Sequence, residues 1–133
     1  MVKRGIVKKL VAVASLAALL VSSSVMAYAA ENGRKILLGD SWMISYISAS
    51  SQTAYARLTT GVSGTLSISA KAIHKNFDGA ESWESFGASG VETSECSREI
   101  YRGDEVYMYA EGTFRASGSN GAYKTDFINC SNY

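Results

Sequence analysis

The chain holds one histidine, His74, so imidazole chemistry of any kind must run through that residue. It follows Leu66, Ile68, Ala70 and Ala72 at even spacing and sits beside Lys75, at the end of an alternating run. A hydrolase would need a nucleophile and an acid folded against it. Serines are abundant, but Gly61-Val62-Ser63-Gly64-Thr65 and Gly87-Ala88-Ser89-Gly90-Val91 both lack the final glycine of a nucleophile elbow. His74 therefore reads as a structural, hydrogen-bonded residue at a frayed strand end, and no catalytic residue is assigned.

Metal and carboxylate chemistry find as little support. One histidine and two cysteines do not make a zinc set. Glu92, Glu95 and Glu99 lie close together, but their spacing matches no calcium loop, and on a strand only Glu95 and Glu99 share a face. No metal and no cofactor are expected. Arg102-Gly103-Asp104 reads as ordinary turn chemistry before a strand, and Asn129-Cys130-Ser131 matches the glycosylation pattern without further support.

The aromatic residues give a more useful pattern. Tyr107 and Tyr109 share a parity opposite Val106, Met108 and Phe114, and Tyr55 opposes Ala54, Ala56 and Leu58. If those faces meet solvent on neighbouring strands, the three tyrosines form a platform for an extracellular protein or a carbohydrate, since tyrosine combines apolar area with a polar tip. Trp42 and Trp83 could add to such a platform or to the core, and Trp42, near the start of the first run, is expected in the core.

The elements that would position these residues are strands. Period-two alternation runs through 41–49, 53–60, 64–75, 105–116 and 122–129, and more weakly through 81–89 and 91–100. Turn residues fall between them: Gly61-Val62-Ser63-Gly64, Asp78-Gly79, Gly103-Asp104 and Ser117-Gly118-Ser119-Asn120-Gly121. About seven strands in a domain of roughly 100 residues predict an all-β fold, a small antiparallel two-sheet sandwich of immunoglobulin-like or related topology, with a small β-barrel as the alternative. The chain has no proline, so edge strands must be protected by charges such as Arg57, Lys71, Glu111 or Arg115.

The location of that domain is read from the first residues. Lys3, Arg4, Lys8 and Lys9 precede an apolar stretch over 10–21, and Ala27 and Ala29 supply small residues at a peptidase site. This is the order of a cleaved helical signal peptide over 1–29, with cleavage after Ala29 and Ala27 as second choice. The apolar part is shorter than the roughly 20 residues a membrane span needs, so no stable anchor is expected after processing. A flexible mature N-terminus over 30–40 and a single β domain over 41–133 follow. Its basic start and length suit a secreted product of a Gram-positive bacterium.

Removing the leader leaves nine Lys and Arg against twelve Asp and Glu. A mildly acidic product lacks the basic footprint that nucleic acid or anionic membrane requires. Outside the reducing cytoplasm Cys96 and Cys130 are expected to pair; closing a loop of about 35 residues would stabilise the fold by roughly 3.5–4 kcal/mol. The composite expectation is a secreted, disulfide-linked, non-enzymatic binding or surface module. A bacteriocin-like toxin or enzyme inhibitor is the alternative, with a small hydrolase behind it.

Overall fold

The computed structural model describes residues 30–132; the expected leader and the expected cleavage site at Ala29 lie outside the described residues. Six strands form one antiparallel sheet: β1 (Ala30–Leu38), β2 (Ser41–Ala49), β3 (Thr53–Lys75), β4 (Glu81–Tyr101), β5 (Val106–Gly118) and β6 (Tyr123–Ser131). The all-β class is as the alternation predicts. In place of two separate sheets, a single sheet closes almost fully on itself as a barrel-like shell.

The closure comes from β3 and β4, which are far longer than the usual five or six residues. β4 pairs along one side of β3 over nearly its whole length. On the other side, β2 pairs with β3 over residues 54–60 and β5 takes residues 64–75. The β3–β4 ribbon therefore folds over near its middle and carries β2 and β5 onto opposing walls. At that corner the ladder jumps from Thr59↔Glu95 to Gly64↔Thr93 and then to Leu66↔Gly90. Glu92 is left in the left-handed region at φ 54, as a bulged residue can be.

The expected turn at Gly61-Val62-Ser63-Gly64 is thus a bend inside one strand, and the expected strands 53–60 and 64–75 are one element. The same holds for 81–89 and 91–100. These glycines serve close approach: a Cβ on Gly64 would stand 2.1 Å from the Ser117 carbonyl oxygen. Residues 30–40, expected to be flexible, instead supply β1. Its alternation is weak because Glu31 to Lys35 are all exposed and only Leu38 is fully buried.

Even-numbered residues of β3 face inward from Ala54 to His74, and Met43, Ile47 and Ala49 of β2 meet Phe114, Ala116, Ile128 and Cys130 from β5 and β6. Many inward side chains are alanines, which brings the two walls close together. Trp42 is only half-buried, with the Lys35 ammonium 5.3 Å from its ring centre.

The hairpin predicted over 117–121 is present. The Asn120 side chain accepts from the Ala122 amide and donates to the Leu38 carbonyl and to Asp40, pinning the β5–β6 turn to the β1–β2 turn. Asn76 organises the β3–β4 turn by accepting from the amides of Asp78 and Ala80. Arg57, Lys71, Glu111 and Arg115 lie on β3 and β5, which are internal strands, so they do not guard edges as expected. The edges belong to β1, β4 and β6.

Candidate functional site

Two side-chain clusters stand out, one inside the mouth of the shell and one on its outer wall. The inner cluster contains His74. Its ring is buried at the end of β3, with Nδ1 2.5 Å from Glu105 Oε1. A carboxylate only accepts, so Nδ1 carries the shared proton. Arg102 donates from Nε to Glu84 Oε1 at 2.9 Å and lies 3.6 Å from Glu105 Oε2 through Nη1. The Tyr107 hydroxyl donates to the same Glu84 oxygen at 2.9 Å, and its ring meets the His74 ring edge-on at 5.9 Å.

These residues come from four places: the end of β3, the start of β4, the β4–β5 loop and the start of β5. Burial raises the Glu84 carboxyl, but the hydrogen bonds from Arg102 and Tyr107 outweigh it and hold the group below its ordinary value of 4.5. Burial and then Glu84 itself push the Tyr107 phenol upward, so it stays a donor. The cluster closes the mouth by satisfying its own charges. His74 is at a strand end and hydrogen-bonded, as expected, and that strand end is buried instead of frayed. Among the described residues, no group of three or more His, Cys, Asp or Glu is placed to hold a metal.

Tyr107 itself corrects the expected tyrosine platform. It is fully buried, although Tyr109 two residues on is not. The cause is a register shift: Ile73 pairs with Tyr109 and His74 with Tyr107, leaving Met108 unmatched. This bulge inverts the parity of β5, so Tyr107 turns into the core and Tyr109 outward. Tyr55 stands on the other wall, edge-on to Tyr46 at 6.0 Å. The three tyrosines do not share a face.

The outer cluster gathers around Tyr109. Its ring meets the exposed Trp83 edge-on at 5.9 Å, across Ile73 of β3. The Lys71 ammonium lies 4.5 Å from the Trp83 ring centre and 3.9 Å from Glu111 Oε2, while the Tyr109 hydroxyl donates to Glu111 at 2.9 Å. Beside this ridge runs an open groove of about 440 Å³, lined by Ser69, Ser85 and Thr113 together with Lys71, Glu111 and Phe127. Gly87 faces Ser69 across the ladder, and a Cβ there would stand 2.5 Å from the Ile68 carbonyl oxygen. Hydroxyls and the Phe127 ring line the groove, and Trp83 stands beside it over Lys71; the two rings are about half exposed, at 48% and 53%.

Sequence reasoning found Tyr109 and named Trp83 as a possible addition, but missed Phe127 and the hydroxyl floor. The outward parity of 67–71 was visible, yet which strands flanked it was not.

The expected Cys96–Cys130 bridge is absent: both thiols are free. Cys96 on β4 pairs opposite Leu58, and Cys130 on β6 pairs opposite Ala110. Their strands lie in ladders with different neighbours, a separation that sequence spacing does not reveal. Burial pushes the Cys130 thiol up to about 11 and also raises Cys96.

No family model matches the chain, and no curated protein is significantly similar to it. A crystal structure of a protein described as ApaA from Bordetella pertussis aligns over 77% of this chain and 90% of that one, at 12% identity and a TM-score of 0.30. So weak a likeness says nothing about fold or function.

Proposed function

We propose that this is a secreted, non-enzymatic binding module that engages extracellular carbohydrate through the outer wall formed by β4, β3, β5 and β6. The observation that carries the reading is the groove between the Trp83–Tyr109–Lys71–Glu111 ridge and Phe127, with Ser69, Ser85 and Thr113 between them. Aromatic faces accept the C–H faces of sugar rings, while hydroxyls, an ammonium and a carboxylate supply both donors and acceptors to sugar hydroxyls. The groove is open and polar, which suits a hydrated chain better than an apolar small molecule enclosed in a pocket.

The basic-apolar-small order of residues 1–29 supports export, and the acidic balance of the remainder argues against nucleic acid as the partner. The mouth cluster supports the non-enzymatic part of the reading. His74, Glu105, Arg102, Glu84 and Tyr107 bond one another, which fits a structural closure.

A glycan array probed with the exported chain tests the proposal. Retention of one sugar class, weakened roughly tenfold or more by Trp83→Ala, is the expected result for an exposed aromatic anchor. Retention of no glycan, with a protein captured through the same face instead, would replace carbohydrate with a protein partner.

A further inference from the structure

We infer that the free edge of β4 is a docking site for an extended, basic peptide strand, which would add to the sheet beside residues 94–101. Among the described residues β4 pairs only with β3, so alternate residues along its other side present backbone N–H and C=O groups to solvent. The other two edges lie against each other. Arg34 of β1 holds Asp126 of β6 with two bonds, at 2.6 and 3.1 Å, and reaches the Phe127 carbonyl; Asn32 donates to the Asn129 carbonyl. That seam leaves β4 as the accessible edge.

The second half of β4 touches the core through Ile100 and Cys96 and is otherwise open to solvent. Ser94, Glu95, Ser97, Arg98 and Glu99 are all exposed and Cys96 is only half-buried, so side chains of both parities meet solvent. A strand laid beside this segment would find the face of Glu95, Ser97 and Glu99 open and about 23 Å of backbone to pair with, at roughly 3.3 Å per residue.

Charge selects the occupant. β4 carries Glu81, Glu84, Glu92, Glu95 and Glu99 against Arg98 alone. Glu92, Glu95 and Glu99 have no ion-pair partner among the described residues. A second copy of β4 would set glutamates against glutamates, and like charges across a ladder are destabilising. These carboxylates therefore act against self-pairing, the usual hazard of an open edge. A strand with lysine or arginine at alternate positions converts the same carboxylates into cross-strand partners, notably Glu95 and Glu99, which share a face. Backbone bonding supplies the affinity and the carboxylates the selectivity, as in other strand-addition modes.

The test is a titration of the exported chain with a short synthetic peptide alternating lysine and valine, beside its glutamate-for-lysine counterpart. Amide hydrogen exchange is read across the chain. The expected result is binding of the lysine peptide alone, new protection confined to residues 94–101, and loss of binding at high salt. The double variant Glu95→Lys/Glu99→Lys lies on an exposed face and should keep its circular dichroism spectrum and melting temperature while weakening binding on the order of tenfold or more. Equal binding of both peptides, protection falling on β1 or β6, or no binding at low salt would overturn the inference. Self-association of the unmodified chain through β4 would overturn it as well.

Discussion

Glu84 stands near the start of β4 and Arg102 just past its end, yet Arg102 Nε lies 2.9 Å from Glu84 Oε1. A strand of this length brings its ends together only because the β3–β4 ribbon folds over at its middle. The bond is thus a readout of barrel closure, and Tyr107 and the His74–Glu105 pair surround it.

Loosening this clasp should lower stability without unfolding the sheet. Tyr107→Phe removes one hydrogen bond to a carboxylate from a fully buried ring and should cost about 1–3 kcal/mol. Urea unfolding of the two proteins measures it.

The pH dependence follows from Glu84. Its folded-state carboxyl lies below the ordinary 4.5, so it contributes stability that is fully present above that value. The contribution is lost as pH falls through the lower folded-state value. Stability of the wild type should therefore fall more steeply than that of Glu84→Gln as pH drops below about 4.5. Parallel unfolding midpoints measured from neutral pH downward check the sign.

The opposite seam rests on Arg34. Asp126 is buried, so Arg34→Ala leaves a carboxylate without its main donor and should cost about 1–3 kcal/mol. Faster amide exchange should appear at β1 and β6 before β3. Uniform exchange changes across all strands would contradict a local seam.

At the corner, Gly64→Ala would force a Cβ against the Ser117 carbonyl oxygen, and backbone on both sides resists the shift. A destabilisation of at least about 1–3 kcal/mol is expected, as for an overpacked site. A neutral outcome in thermal melts would show that the corner is looser than the ladder implies.

The fold class was legible because alternation is a local property. Even-numbered residues over 54–58 and 66–74 and the Asn120-Gly121 turn were all readable from neighbours in sequence. What was not legible depends on pairing. Gly61 to Gly64 look like a turn, and only the continuous partner β4 makes them a bend. Met108 looks like a member of the Phe114 face, and only its lack of a partner in β3 reveals the bulge that buries Tyr107. The same limit hid the groove, since Trp83, Lys71, Glu111 and Phe127 come from four strands and share no spacing. The cysteine pairing failed likewise: an oxidising surrounding would permit a bridge, but strand placement decides it.

The thiols offer their own check. With Cys130 buried and its thiol held up near 11, and Cys96 half-buried, both should alkylate slowly in the native protein and Cys96 first. Mass spectrometry of protein denatured in iodoacetamide without reductant should find both cysteines modified. Modification that appears only after reduction would contradict free thiols.

The proposed carbohydrate-binding face is tested most directly by mapping where a ligand lands. An oligosaccharide retained on the array is titrated into isotope-labelled protein, and backbone amide shifts are followed by NMR. The account predicts shifts clustered at Trp83, Ser85 and Gly87 of β4, Ser69 and Lys71 of β3, Glu111 and Thr113 of β5, and Phe127 of β6, abolished by Trp83→Ala. Shifts centred on Tyr46 and Tyr55 of the opposite wall, or no saturable shifts with any sugar, would contradict it.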